Sequence, residues 1–124
     1  PSFPRTMSKR DIQQTAKHFG NAVRVAQQSG FDAVEIHAGH GYLISQFLSP
    51  STNTRKDEFG GSLQNRMRFM QMVLNDVIDA AKSKTAVLIK MNMQDEKNEL
   101  WSFADFRPEP SAMLVGTEIA ALLS

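Results

Sequence analysis

Apolar residues recur at helical spacing near the start of the chain, where Ile12, Ala16, Phe19, Ala22, Val23 and Ala26 fall near one face. This pattern predicts a helix from about residue 9 to 29, opened by a Ser8 and Asp11 cap and closed at Gly30. Glycine suits that end because it has no Cβ to clash in a left-handed conformation. The stretch after it, from Phe31 to His37, is short and β-branched, and residues 33 to 37 are expected to form a strand. Leu43 to Leu48 allows one or two helical turns, followed by a polar, turn-rich loop from Ser49 to Glu58. Gly60-Gly61-Ser62 then introduces a second long helix, whose buried face is marked by Leu63, Met67, Met70, Val73, Leu74, Val77, Ile78 and Ala81, ending near residue 82. Residues 85 to 91 form a second strand, apolar enough for burial on both faces, as is usual for parallel strands.

Two strands joined through a crossover helix imply a parallel βαβ unit with a right-handed connection. The loop after the first strand is much longer than a βα connection needs. In barrels and open α/β sheets alike, loops at the carboxyl ends of strands build the functional site. Beyond Met93 the pattern changes: Asp95 to Glu99 is a charge run, Pro108 and Pro110 prevent a continuous helix, and only Val115 to Leu123 regains helical spacing. There is no internal repeat.

Composition narrows the class. With 41% hydrophobic and 22% charged residues in 124, the chain has the make-up of one globular unit. The 14 basic and 13 acidic residues are interspersed, which gives no support for binding nucleic acid. The chain has no cysteine, so disulfides, thiolate metal sites and a cysteine nucleophile are excluded, which fits a cytoplasmic protein. No apolar run approaches the roughly 20 residues of a membrane span, and the N-terminal segment lacks the apolar core of a secretory signal. Pro1 suggests that the sequence starts inside a longer chain.

The densest chemistry lies in Glu35-Ile36-His37-Ala38-Gly39-His40-Gly41-Tyr42, at the end of the first strand. Imidazole N–H groups can donate to a carbonyl oxygen and stabilise charge developing on it. A phenol can act as a general acid at neutral pH. Two histidines three apart at a loop can equally face solvent without a role. Glu35, His37 and His40 are also permitted zinc or iron ligands, although strand alternation separates His40 from the other two and no fourth ligand is evident. Lys90 ends the second strand on the same rim as His37; its ammonium needs water or a negatively charged ligand. The start of the second helix, at Gly60-Gly61-Ser62, could bind an anion or serve only as a cap. His18 and Trp101 have the marks of surface and packing residues, and the methionines of the second helix those of core filling.

The run GFDAVEIHAGHGYLISQFLSPSTNTRKDEFGGSLQNRMRF, residues 30 to 69, closely resembles the old yellow enzyme family of FMN-dependent NAD(P)H oxidoreductases. In that family a strand ends in a His-x-x-His or His-x-x-Asn pair followed by Gly-Tyr, and a loop similar to SPSTNTRKDEFGGSLQNR comes next. The likeness extends less tightly over residues 4 to 93, about three quarters of the chain. It implies an α/β fold that is part of a (β/α)₈ TIM barrel, with the two strands resembling the fourth and fifth. It also implies a flavoprotein that takes FMN as cofactor and NADH or NADPH as hydride donor. By this resemblance His37 and His40 bind the carbonyl oxygen of the substrate, an activated alkene such as an enone or enoyl compound, or a phenolate inhibitor. Tyr42 is then the proton donor, and Lys90 the basic residue near the pyrimidine edge of FMN.

A complete barrel needs roughly 250 residues, so residues 1 to 93 are expected to be a partial barrel domain and residues 94 to 124 a divergent tail. The missing strands are those that hold the flavin phosphate in the family. Three functions therefore stand side by side: an ene-reductase that needs the remainder of its barrel, a non-catalytic fragment or interaction module, and a metal hydrolase.

Overall fold

The computed structural model describes residues 5–82 and 84–92. Five elements follow in order: α1 (Lys9–Gln28), β1 (Ala33–Ala38), α2 (Leu43–Leu48), α3 (Leu63–Ala81) and β2 (Ala86–Met91). The segment after Met93, with its expected helix at Val115 to Leu123 and Trp101, lies outside the described residues.

Helix α1 starts with a reciprocal capping box. The Asp11 amide donates to Ser8 Oγ at 3.2 Å while Asp11 Oδ2 accepts from the Ser8 amide at 2.8 Å. It ends in the double bond of a Schellman motif: the Gly30 amide donates to Gln27 O and the Phe31 amide to Ala26 O, both at 3.1 Å, with Gly30 at φ 83°. The predicted stripe is largely buried, except that Ala22 is exposed and Gly20 takes a place in the core. Gly20 is required there because a Cβ would lie 2.7 Å from the carbonyl oxygen of Asp76 on α3.

The two strands form one sheet. The Ala86 amide donates to Asp32 O at 2.8 Å, at the start of both strands. Beyond their ends, Asn92 Oδ1 accepts from the His40 amide at 3.0 Å, so the strands run parallel. In a parallel ladder this register sets Ala86 opposite Ala33, Leu88 opposite Glu35 and Lys90 opposite His37. Val34, Ile36 and Ala38 point to the other face, where Ile36 and Ala38 are buried.

Contacts divide the chain into two compact units, drawn from the described parts of Pro1–Ile36 with Phe69–Leu88 and of His37–Arg68 with Ile89–Ser124. In the first, Ile12, Ala16 and Val23 of α1 and Phe69, Met70, Val73, Leu74 and Val77 of α3 are buried. Gln27 Nε2 adds a 2.9 Å bond to Ala81 O at the end of α3. In the second, Ile44, Phe47, Phe59 and Met67 are buried.

One expectation is corrected. Strand β2 is not buried on both faces: Ala86, Leu88 and Lys90 are exposed, Leu88 to 49%. Burial on both faces requires a layer on each side, and the described residues supply only one.

Candidate functional site

The residues from His37 to Lys90 that carry candidate chemistry belong to the second unit. His37 is on the last turn of pleat of β1, and the chain then reverses sharply. His40 adopts φ 55° and Gly41 φ 71°, both left-handed. The Tyr42 amide closes the turn on Gly39 O at 3.2 Å, and Ser45 Oγ reaches the same carbonyl at 3.3 Å. The turn folds two side chains back toward the strand end. The His37 and His40 rings stand 4.9 Å apart between centroids at 65°, and the His37 and Tyr42 rings 5.2 Å apart at 57°.

These side chains differ in their surroundings. His40 is exposed, and Tyr42, at the N-terminus of α2, is 62% exposed. His37 is half-buried, and its Nδ1 is buried without a hydrogen-bond partner among the described residues. A buried ring nitrogen left unsatisfied is uncommon outside functional sites. Lys90, opposite His37 on the open face of the sheet, is exposed, and no ion pair to it is found among the described residues. The site therefore offers imidazole donors, a phenol and a cation on one rim. These are groups that could bind an oxygen anion, transfer a proton and balance charge on a bound ring, so the residues present fit their share of a flavin site.

The loop that follows is a folded element rather than a solvated connection. Asn53, only 9% exposed, donates through Nδ2 to Phe47 O at 2.6 Å and Phe59 O at 2.7 Å, and accepts the Arg55 amide at 3.2 Å. Arg55 forms a fork with Asp57, at 3.0 Å from Nε and 2.6 Å from the second arm, which holds its guanidinium firmly protonated. The same guanidinium lies 6.0 Å from the centres of both the Phe47 and Phe59 rings. Arg66, equally buried, ties Leu48 O at 2.7 Å and Gly61 O at 2.5 Å. Asn53, Arg55 and Arg66 carry no chemical signal in the sequence beyond their place within the stretch of family likeness.

At the helix start proposed for an anion, Ser62 Oγ accepts the Asn65 amide at 3.3 Å and Asn65 Nδ2 bonds Gly60 O at 3.0 Å, the arrangement of a cap. Among the described residues no three His, Asp or Glu side chains converge on a common point for a metal. No helix among them is long and apolar enough to cross a membrane. His18 lies exposed on α1.

The described residues form an α/β segment with two imidazoles and a phenol gathered at the end of β1, and comparison with known proteins gives the family. A model of the NADH:flavin oxidoreductase / NADH oxidase family matches residues 1–120. The chain is 40% identical over 112 residues to an NADPH dehydrogenase of Geobacillus sp. (strain WCH70), covering 89% of this chain and 32% of that protein. It is 35% identical over 120 residues to an NADH:flavin oxidoreductase of Gibberella zeae, covering 97% of this chain and 29% of that protein. Among solved structures, morphinone reductase in complex with tetrahydroNAD superposes with a TM-score of 0.79 at 33% identity, covering 95% of this chain and 31% of that one. The chain belongs to the NADH:flavin oxidoreductase / NADH oxidase family, the old yellow enzyme group of FMN-dependent oxidoreductases, and its solved relatives are of TIM-barrel type. It spans about a third of the length of these relatives.

Proposed function

We propose that this chain supplies the substrate-binding and proton-donating rim of an FMN-dependent NAD(P)H oxidoreductase that reduces activated alkenes, β1 and β2 being the fourth and fifth strands of its barrel. The observation that carries this reading is the cluster of rings at the end of β1, with those of His40 and Tyr42 at 4.9 and 5.2 Å from that of His37, on the rim that also bears Lys90. Donors from His37 and His40 hold the carbonyl oxygen of an enone or enoyl compound and stabilise the negative charge it gains. This polarises the conjugated double bond and orients its β carbon. The phenol of Tyr42 delivers a proton to the α carbon as general acid, and its exposure leaves it room to meet a substrate. The Lys90 ammonium faces the same space and offsets negative charge on the bound ring. The chemistry supplied by FMN when bound is hydride exchange, accepted from NADH or NADPH and passed to the β carbon.

The experiment follows the two half-reactions separately in an FMN-loaded complete barrel that contains this chain. Tyr42→Phe is expected to slow alkene reduction by about 10²-fold or more, while flavin reduction by NAD(P)H stays within a small factor of wild type. Equal loss in both halves removes Tyr42 from the proton-donor role. The exposure of Leu88 on the open sheet face favours a second reading, in which this chain associates through that face without taking a cofactor. Stoichiometric yellow chromophore on the purified chain decides against the second reading; a complete barrel containing this chain that stays colourless decides for it.

A further inference from the structure

We infer that Asn92, just past the end of β2, is a positioning residue that sets the geometry of the His37–His40 pair. Three observations meet at its side chain. Asn92 Oδ1 accepts the His40 amide at 3.0 Å. The residue it holds adopts φ 55°, a left-handed conformation in which a histidine is strained. The preceding Gly39 leaves no space for a side chain, because a Cβ there would come within 2.6 Å of the same Oδ1 and 3.4 Å of the Asn92 amide nitrogen. Asn92 is therefore packed against the peptide that joins Gly39 to His40 and bonded to its N–H, while the carbonyl of Gly39 is held from the other side by Tyr42 N and Ser45 Oγ.

The consequence for the site is geometric. Left-handed φ at His40 is what returns its ring toward the strand, to 4.9 Å from that of His37. A non-glycine residue keeps such a conformation only where its surroundings enforce it. Among the described residues, the side-chain bond to the His40 amide comes from Asn92. Asn92 stands two positions beyond Lys90, so the element that presents the ammonium also fixes the imidazole pair on the neighbouring strand. The inference rests on the reading of His37 and His40 as a carbonyl-binding pair, but its first readouts need no flavin.

The test compares wild type, Asn92→Leu, which removes the acceptor at similar size, and Asn92→Asp, which keeps it. In the isotope-labelled chain, Asn92→Leu is expected to exchange the His40 amide about tenfold faster and to lose the ring-to-ring proton contact between His37 and His40. Amides of α1 such as Ile12 and Val23 should keep their wild-type rates, and Asn92→Asp should restore both His40 signals. In FMN-loaded protein the affinity for a para-substituted phenol should fall about tenfold in Asn92→Leu and return in Asn92→Asp. An unchanged His40 exchange rate in Asn92→Leu overturns the inference. So does faster exchange with ring contact and phenol affinity intact, since the bond would then be structural only. If Asn92→Leu also deprotects α1, Asn92→Ala is read by the same criteria. Failure of the complete barrel containing this chain to take FMN counts against the proposed function, and amide exchange with ring contact then decides this inference alone.

Discussion

Asn53 gives the sharpest test of how the loop between α2 and α3 is held. Its side chain makes three hydrogen bonds in a site that is 9% exposed: two donated from Nδ2, at 2.6 and 2.7 Å, and one accepted by Oδ1 at 3.2 Å. Asn53→Ala leaves the Phe47 and Phe59 carbonyls and the Arg55 amide without these partners. At about 1–1.5 kcal/mol for each bond, the loss is roughly 3–4.5 kcal/mol, a large share of the roughly 5–15 kcal/mol typical of a domain. Asn53→Asp is nearly the same size and discriminates better. A carboxylate has no hydrogens to donate, so it would place negative oxygen against two carbonyl oxygens in a site that water reaches poorly. Asp is therefore expected to cost at least as much as Ala, against the usual ranking by shape. Urea titration followed by circular dichroism measures both; with a slope of about 2 kcal/mol per molar, either variant shifts the midpoint by roughly 1.5–2.3 M. An Asn53→Asp protein within about 0.5 kcal/mol of wild type would refute the assignment of Nδ2 as donor to both carbonyls.

Two further predictions concern the helices. Gly20→Ala gains about 1 kcal/mol of helix propensity, but its Cβ meets Asp76 backbone at 2.7 and 3.2 Å, an overpacking that costs about 1–3 kcal/mol; a net loss of stability in thermal melts is expected, and a gain would show that α1 and α3 separate at little cost. The Asp11 carboxyl is held well below the usual carboxylate range, first by its hydrogen bond from Arg5 and next by Ser8. A depressed value means that the stabilisation is present above the unfolded value, about 4, and is lost as pH falls through the lower folded value. The stability difference between wild type and Asp11→Asn, read by helical circular dichroism at neutral pH, should therefore shrink steadily on acidification below about pH 4. A difference that is constant with pH would remove the ionised carboxylate from the cap.

Periodicity carried most of the framework because each element announces its own ends. Ser8 and Asp11 cap α1 at the expected place, Gly30 turns left-handed where its missing Cβ is needed, and the apolar run from Ala86 to Met91 is a strand. What it could not carry was tertiary. Ala22 and Gly20 both lie near the apolar stripe of α1, and only the approach of α3 at Asp76 decides that the glycine is the one buried. Phe69 is fully buried, although the helical stripe read from the sequence omitted it. The polar composition of residues 49 to 58 suggests solvent, whereas Asn53, Arg55 and Asp57 spend their polarity on one another and on nearby backbone. The sequence places His37, His40, Tyr42 and Lys90 on one rim, but not the left-handed turn at His40 and Gly41 that brings the rings together. Asn92 carried no signal at all, because a single asparagine after a strand has too many ordinary uses.

The pairing of Lys90 with His37 also protects the sheet against misalignment. Side chains alternate between the two faces, so a slip of β2 by one residue would move Met91 to the rim and drive the lysine charge among apolar side chains. The penalty for an unpaired ammonium in such a place is several kcal/mol or its deprotonation. The exposed cation at the end of β2 thus acts as a registration mark, and the strand cannot drift without burying it.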